Sequence, residues 1–460
     1  MRFRESRELE EFDRLIHSVK KRWLSIIIGL VLGSLAYMWP LGLTQPEQAV
    51  LGIIFFAATL WFTEAIPLWT TALIVPPLLV VLAGLSPSEV YTPFFDPIIA
   101  LLFGGFILAR GLQKHRLDFR IAAFFIRIFG NKPRMFLLGL MVAAAFLSFW
   151  ISNTASTLLM IPIGLAALTA TGLKPLKSRY SKTVVLGIGY AATIGGVGTL
   201  IGTPPNLIAV RMLAESGIHV DFLGWMMYAM PLVVIMIGVA WVVLSLLNKP
   251  EIKEVKAPVL KEKKMDRNQK IVLWTFFLTA LLWVTETFHG IHNSVIAMIP
   301  LAVFYLTNVL DTSDLPKIGW DALILIGGGL SLGVAIHSTG LDLAIAGALG
   351  GSIANHMPYV TLALLALFSI AFTAFVANTA GSAILVPIII PLAPLLGFDP
   401  RVLAVLVGIA VSFDFIVPVG TAPNAIAYST GYIRVKDMIK SGALISIIGG
   451  LLVALFSMFW

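Results

Sequence analysis

Long apolar runs separated by short polar segments occupy most of the chain. Runs of membrane-spanning length lie near residues 23–40, 47–65, 68–85 and 98–113, and similar runs continue to the last residue. The pattern predicts an all-α polytopic membrane protein with about eleven transmembrane helices, because one span needs about 20 mostly apolar residues.

Two of the apolar runs are interrupted halfway by polar residues. Residues 135–171 contain Ser-Asn-Thr at 152–154, and residues 359–394 contain Ala-Asn-Thr at 377–379. Basic clusters flank the first run on both sides, so the positive-inside rule predicts a re-entrant hairpin that enters and leaves from the cytoplasm. The second run has almost no Lys or Arg nearby, which predicts a hairpin that enters from the opposite side.

The two halves of the chain repeat each other. Gly-Thr-Pro-Pro-Asn at 202–206 recurs as Gly-Thr-Ala-Pro-Asn at 420–424, and Trp61 and Asp118 recur as Trp283 and Asp342. Matching landmarks are 218 to 225 residues apart, which indicates an internal repeat. Five spans and one hairpin per repeat give an odd number of crossings, so the repeats are predicted to be inverted, as in many secondary transporters.

These landmarks divide the chain into four parts. Residues 1–45 hold a basic tail and the first span, and residues 46–248 form the first repeat. A polar segment at 249–270, rich in Lys and Glu, is predicted to be a cytoplasmic linker, and residues 271–460 form the second repeat. The crossings place the N-terminus in the cytoplasm and the C-terminus outside it.

Composition excludes several classes of protein. The chain is 58% hydrophobic and 12% charged, whereas about a quarter of a soluble protein is charged. Its net charge of +8 comes from basic residues in the tail, the loops and the linker. We therefore expect membrane lipid as a partner, a location in the cell membrane and no nucleic acid. The chain has no cysteine, which excludes a thiolate-ligated metal.

The four polar loops suit an anion accompanied by small cations. Helix starts at a hairpin tip expose N–H groups that bind carboxylates, and helix ends expose carbonyls that bind cations. Proline in the Gly-Thr-x-Pro-Asn segments breaks a spanning helix. None of these loops contains Lys or Arg, so bound cations would have to supply the positive charge. Oxygen ligands of this kind suit Na⁺.

Other interpretations explain less of the pattern. An intramembrane hydrolase could use Ser152 or Thr154 as its nucleophile, but no basic group stands near them to activate a hydroxyl. A channel would need a continuous polar face, whereas the polar residues here gather at two pairs of breaks. Asp414 lies inside a long apolar run beside the second break; such a charge is a functional candidate, yet an equally good structural interpretation keeps it outside the predicted site.

The repeated hairpin tips and proline breaks resemble the divalent anion/sodium symporter family, which carries succinate, malate, fumarate and, in some members, citrate. The resemblance covers nearly the whole chain. It implies a homodimer in which each protomer has a scaffold subdomain and a transport subdomain. The transport subdomain, with both hairpins, is expected to move across the membrane by an elevator mechanism.

The resemblance also implies roles for individual residues and at least two sodium sites. The first sodium site would use Ser148, Ser152, Asn153, Gly198 and Gly202, and the second Thr373, Val376, Asn378 and Gly420. The dicarboxylate would contact Ser152, Asn153, Thr154, Asn378 and Thr379, with Thr203, Pro205, Thr421 and Pro423 as walls.

Two places depart from the family pattern, the second hairpin tip and the second break, which reads Thr-Ala-Pro at 421–423 where the first reads Thr-Pro-Pro at 203–205. Family members usually carry serine in both hairpin tips, whereas the second tip here has Ala377. The missing hydroxyl leaves two functions open. The first is Na⁺-coupled import of C4-dicarboxylates, and the alternative is exchange of one dicarboxylate for another without obligatory Na⁺.

Overall fold

The computed structural model describes residues 2–256, 264–353, 357–418 and 420–460, so residues 257–263 of the predicted linker lie outside the described residues. Regular structure in these ranges is helical. The first half contains α1 (Arg2–Met38), α2 (Gln45–Thr63), α3 (Leu68–Ala83), α4 (Pro87–Tyr91), α5 (Pro97–Lys114), α6 (Leu117–Phe129), α7 (Pro133–Ser148), α8 (Asn153–Ala170), α9 (Arg179–Gly196), α10 (Pro204–Glu215) and α11 (Phe222–Leu247). The second half contains α12 (Arg267–Val284), α13 (Glu286–His289), α14 (Asn293–Ile296), α15 (Met298–Leu306), α16 (Trp320–Thr339), α17 (Leu341–Ile353), α18 (Pro358–Thr373), α19 (Asn378–Leu395), α20 (Pro400–Ala410), α21 (Ala422–Ser429) and α22 (Val435–Ser457). Short 3₁₀ helices cover Thr92–Phe95 and Thr312–Lys317.

The helices agree with the pattern of apolar runs. The four early runs correspond to the end of α1 and to α2, α3 and α5. Within the described residues, seven helical stretches are long and apolar enough to cross a membrane, and six shorter apolar helices accompany them. Two of the seven, α8 and α19, are halves of hairpins, so length alone does not count the crossings. The total of about eleven stays a prediction.

The two hairpins, α7–α8 and α18–α19, enter from opposite ends of the molecule. At the base of the first hairpin, the Tyr180 hydroxyl donates to the carbonyl of the first residue of α7, at 2.6 Å. Nearby, Lys182 Nζ lies 2.9 Å from the Asp437 carboxylate, at the start of α22. At the base of the second hairpin, the Tyr359 hydroxyl donates to the Leu451 carbonyl, 3.4 Å away and far along α22. One helix therefore connects the two bases.

The matching tryptophans of the two repeats each donate to the first residue of a later helix. Trp61 Nε1 donates to the Leu68 carbonyl at 3.2 Å, and its counterpart Trp283 donates to the Asn293 carbonyl at 3.1 Å. Both indoles are buried, so each donor needs a partner. The shared bond fixes the turn that follows α2 in one repeat and α12 in the other.

The broken helices exchange their second halves between the repeats. The second half of one break, α10, packs on α19 and α20, and that of the other, α21, packs on α8 and α9. Glycine permits both crossings: a Cβ at Gly189 would lie 3.2 Å from the Pro423 carbonyl oxygen, and one at Gly408 would lie 2.8 Å from the Cβ of Ala209 on α10. Each hairpin is thus held by a helix from the other repeat.

A charged cluster holds α5 against the segment that leads into α16. The buried Asp314 carboxylate accepts from Arg110 Nη2 at 2.8 Å and lies 2.6 Å from Lys114 Nζ. Burial alone would raise the pKa of Asp314, but hydrogen bonds from Lys114, the Asp311 amide and Arg110 outweigh burial and hold that pKa below its ordinary value. Breaking such a buried pair from one side is strongly destabilising.

Candidate functional site

Both hairpin tips and both helix breaks line one cavity of about 500 Å³. Its remaining wall comes from the first turns of α3 and α16 and from the middle of α5. Ten of the predicted site residues line it: Ser152, Asn153, Thr154, Gly202, Thr203, Asn378, Thr379, Gly420, Thr421 and Pro423. Sites at the meeting point of two repeats with broken helices are typical of secondary transporters.

Five predicted residues do not line the cavity. Ser148 and Thr373 are fully buried directly behind the tips, and Val376 is buried beside the second tip. Gly198 packs against the Phe149 ring, which lies 2.7 Å from where its Cβ would be. Pro204, rather than Pro205, lines the cavity, because successive residues at a helix start face about 100° apart.

Ser152 and Asn153 shape the first tip. Ser152 is the N-cap of α8, and its hydroxyl accepts from the Ala155 amide at 3.2 Å. The Asn153 side-chain amide places one of its two terminal atoms, oxygen or nitrogen, 2.5 Å from Ser148 Oγ. The same atom lies 3.3 Å from the carbonyl oxygens of Gly202 and Ala192. If nitrogen occupies this position, it donates to all three oxygens. If oxygen occupies it, four oxygens face one another, an arrangement that a cation stabilises.

The second tip lacks the cap of the first. Ala377 occupies the N-cap position of α19 and has no side-chain oxygen to offer. The amide oxygen of Asn378 is buried without a hydrogen-bond partner among the described residues. Behind the tip, the Thr373 carbonyl lies 3.3 Å from where a Cβ of Gly420 would be, as the Ser148 carbonyl lies 2.9 Å from that of Gly202. The backbone around the two tips therefore has the same arrangement.

The asparagine at the end of each Gly-Thr-x-Pro-Asn motif donates hydrogen bonds to backbone carbonyls at its helix break. Asn206 Nδ2 donates to the carbonyls of Gly196, Val197 and Thr199, at 3.0, 3.3 and 2.7 Å. These carbonyls lie at and just after the end of α9, where the helix provides no next turn of amides. The Val197 carbonyl also accepts from Trp225 Nε1 at 2.9 Å and the Thr199 carbonyl from the Gly202 amide at 3.3 Å. This asparagine belongs to the repeated motif, but the motif alone did not predict that role.

Asn424 does the same at the second break. Its Nδ2 donates to the carbonyls of Asp414 and Val417, at 3.2 and 3.0 Å. Thr421 completes the start of α21, since its hydroxyl accepts from the Asn424 amide at 3.2 Å. Both asparagines are fully buried, so these bonds are not exchanged for water.

The cavity wall carries no fixed positive charge. None of the described residues that line it is Lys, Arg or His, and the charged one among them is Asp321, at the start of α16. Sequence reasoning missed this wall, which also includes Trp69, Phe106 and Leu325. Their apolar character matched that of every other span, so no local signal distinguished them.

The chain is similar to known transporters over almost its whole length. Residues 19–460 match the family model described as "Sodium:sulfate symporter transmembrane region". A "Sodium-dependent dicarboxylate transporter SdcS" of Staphylococcus saprophyticus is 33% identical, over 93% of this chain and 90% of the relative. The protein of the same name in Staphylococcus aureus strain USA300 is 32% identical with the same coverage.

Among solved structures, the fold is similar to the YdaH transporter of Alcanivorax borkumensis, with a TM-score of 0.57 and 15% identity over 81% of this chain and 87% of that one. At this identity the likeness concerns the fold alone. The family match and the relatives above 30% identity agree with the resemblance predicted from the repeated motifs. The chain belongs to the divalent anion/sodium symporter family, whose members are transporters and not enzymes.

Proposed function

We propose that this protein imports C4-dicarboxylates such as succinate, malate and fumarate together with Na⁺. The observation that carries the proposal is that two hairpin tips with exposed helix starts line one cavity that has no basic side chain among its described residues. The names of the staphylococcal relatives support both the sodium and the dicarboxylate.

The tips offer two places for two carboxylates. One carboxylate binds at the start of α8, beside Asn153 and Thr154, and the other at the start of α19, beside Asn378 and Thr379. These four side chains are half-buried and line the cavity. Free N–H groups in the first helical turn carry partial positive charge and favour an anion.

Sodium ions at two sites supply the charge that the walls lack. In the first site, Ser148 Oγ and the Gly202 carbonyl both contact the Asn153 side-chain amide, with Ser152 and Gly198 as the further members of the site. In the second, Thr373, Val376, Asn378 and Gly420 contribute. A bound Na⁺ turns the Asn153 oxygen inward, and this orders the tip that meets the carboxylate. Substrate affinity therefore depends on Na⁺.

The two hairpins, α9–α10 and α20–α21 form the transport subdomain, and the scaffold contains α3, α5 and α16. The transport subdomain moves as an elevator, in a homodimer within the cell membrane. The N-terminus lies in the cytoplasm and the C-terminus outside it. The family resemblance supports this arrangement, as do the exchanged halves α10 and α21, which bind both hairpins into one body.

A second candidate function is dicarboxylate exchange without obligatory Na⁺. Ala377 favours it, because the second tip lacks the hydroxyl that caps the first. Exchange requires a dicarboxylate on both sides of the membrane, whereas symport requires a sodium gradient.

Uptake of radiolabelled succinate into proteoliposomes tests both functions when external Na⁺ and internal dicarboxylate are varied independently. Symport predicts accumulation driven by an inward Na⁺ gradient into vesicles without internal dicarboxylate. Uptake that needs preloaded vesicles and ignores Na⁺ would instead establish exchange.

Two variants test the site. We expect Asn153→Ala and Asn378→Ala each to abolish uptake, since each removes a carboxylate contact and a cation ligand. Asn248→Ala at the end of α11, outside the cavity, serves as the control. Gel filtration in detergent verifies that all three variants fold. Full uptake by either tip variant would contradict the proposed site.

A further inference from the structure

The two breaks differ at one position where the backbone is otherwise equivalent. Asn206 Nδ2 donates to the carbonyl ten residues before it, that of Gly196, and Asn424 Nδ2 donates to the carbonyl ten residues before it, that of Asp414. Each asparagine also binds the carbonyl seven residues before it. At this position the second break therefore has the carboxylate side chain of Asp414, whereas the first break has Gly196, which has no side chain.

The Asp414 carboxylate is fully buried and directed at the predicted second cation site. Its Oδ1 accepts from the Ile416 amide at 3.0 Å. Its Oδ2 has no hydrogen-bond partner among the described residues and lies against Gly420, where an added Cβ would collide with it. The Thr373 carbonyl lies 3.3 Å from the same Cβ position. The glycine leaves room for Oδ2 beside this carbonyl.

A second unsatisfied oxygen belongs to the same site. The Asn378 amide oxygen is buried without a hydrogen-bond donor, as Asp414 Oδ2 is. Among the described residues, no Lys or Arg forms an ion pair with Asp414. An uncompensated buried carboxylate is strongly unfavourable, and buried acceptors without donors indicate a missing electropositive partner.

We propose that Asp414 is an anionic ligand of the second cation site, where its Oδ2 binds Na⁺ with oxygens of Thr373, Asn378 and Gly420. This inference rests on the proposed function, since it takes Na⁺ as the transported cation. Carboxylate and carbonyl oxygens are hard ligands that suit a hard cation. The site is thus built from one charged and several neutral oxygens.

The first break excludes the same arrangement. A Cβ at Gly196 would collide with the Asn153 amide, so a side chain there would displace the residue that contacts both cation and substrate. The two cation sites are therefore unequal. The second site binds Na⁺ more tightly because it contains a full negative charge, and its ion is mostly neutralised by Asp414. The ion at the first site then contributes more of the attraction for the dicarboxylate.

Na⁺-dependent thermal stabilisation of the purified full chain in detergent tests the inference without transport. Unfolding midpoints are measured without dicarboxylate while NaCl replaces choline chloride at constant ionic strength. A ligand that binds the folded state raises the midpoint with its concentration. The variants are Asp414→Asn, Asp414→Ala and the control Asp399→Asn, an exposed N-cap of the same broken helix where asparagine also caps. Each is made in the parental chain and in Ser148→Ala, which weakens the first site.

In the Ser148→Ala background, we expect Asp414→Asn to raise the Na⁺ concentration for half-maximal stabilisation by at least about tenfold, because it removes a charge-assisted contact. Asp414→Ala should have at least the same effect, and Asp399→Asn none. In choline alone, Asp414→Asn should unfold at an equal or higher temperature than its parent, because the uncompensated charge is gone.

An unchanged Na⁺ midpoint for Asp414→Asn in a protein whose parent responds to Na⁺ would overturn the role of Asp414 and leave symport intact. Aggregation of Asp414→Asn on gel filtration, or a lower midpoint in choline, would assign Asp414 a structural role and also overturn the inference. A parental protein that ignores Na⁺ altogether would instead contradict the proposed symport.

Discussion

At the scale of single residues, the two hairpin tips are similar but not equal. The Ser152 hydroxyl accepts from the Ala155 amide and caps α8, whereas Ala377 leaves the start of α19 without a side-chain cap. The amide groups there remain free to bind a carboxylate or water. One missing oxygen thus lowers the stability of a tip and exposes donors to the substrate.

Ala377→Ser should restore the cap and stabilise the substrate-free protein by about 0.5–2 kcal/mol. The expected result is a higher unfolding midpoint in detergent. Ser152→Ala provides the reciprocal variant and should lower the midpoint by a similar amount. Equal midpoints for Ala377→Ser and the parental protein would show that the second tip does not adopt the conformation of the first.

At the scale of elements, the breaks in the spanning helices depend on buried amides. Proline starts α10 after the break, but proline does not satisfy the carbonyls that α9 leaves behind. Asn206 does so with three hydrogen bonds, and Asn424 does so with two. The Gly-Thr-x-Pro-Asn motif therefore both interrupts the helix and supplies the asparagine that binds backbone carbonyls at the interruption.

Asn206→Ala should lower the unfolding midpoint and reduce uptake, because it leaves the Gly196 carbonyl unsatisfied, at a cost of about 1–3 kcal/mol for a buried group that loses its partner. The Val197 and Thr199 carbonyls keep Trp225 Nε1 and the Gly202 amide as donors. Asn424→Ala should have at least as large an effect, since the carbonyls of Asp414 and Val417 have no other donor among the described residues. Asn248→Ala, at the end of α11, is the control. An unfolding midpoint for Asn206→Ala equal to that of the control would show that the Asn206 hydrogen bonds do not stabilise the break.

At the scale of the whole molecule, an ion pair joins the proposed moving and static bodies. Arg211 on α10 binds the Asp96 carboxylate at the start of α5. Arg211 also lies 3.2 Å from Glu215 on its own helix, a contact that cannot link two bodies. Elevator motion of α10 past α5 would have to break the pair with Asp96, so this pair favours the conformation described above.

Asp96→Asn should shift the population away from this conformation. Asp96 also caps α5 by accepting from the Ile98 amide at 2.9 Å, and asparagine keeps that cap, so the variant loses mainly the ion pair. A partly exposed pair is worth about 1 kcal/mol, which corresponds to about a fivefold change in population.

Maleimide labelling of a single cysteine at Ala322, on the cavity wall, measures the shift in this cysteine-free chain. The labelling rate should change with Asp96→Asn and stay constant with Glu215→Gln. Equal changes for both variants would mean that Arg211 acts only within α10.

The sequence predicted the features that depend on local pattern. Spans follow from apolar runs, and the hairpin tips and breaks follow from polar residues that no span can otherwise accommodate; the tips do meet in one cavity. The wall with Trp69 and Asp321 was not predicted, because it depends on packing between helices far apart in the chain. The direction of the Asp414 carboxylate was also unpredictable, since burial and a missing partner are visible only in three dimensions.

The exchange of α10 and α21 between the repeats has a consequence for biogenesis. As the ribosome delivers the first repeat, α8 and α9 insert without the helix that covers them, because α21 is synthesised near the end of translation. The hairpin of the first repeat therefore stays only partly covered until the second repeat has been synthesised and inserted. A chain that stops before α21 would leave the first hairpin without the helix that covers it, although α10 could still pack on α19 of the second hairpin.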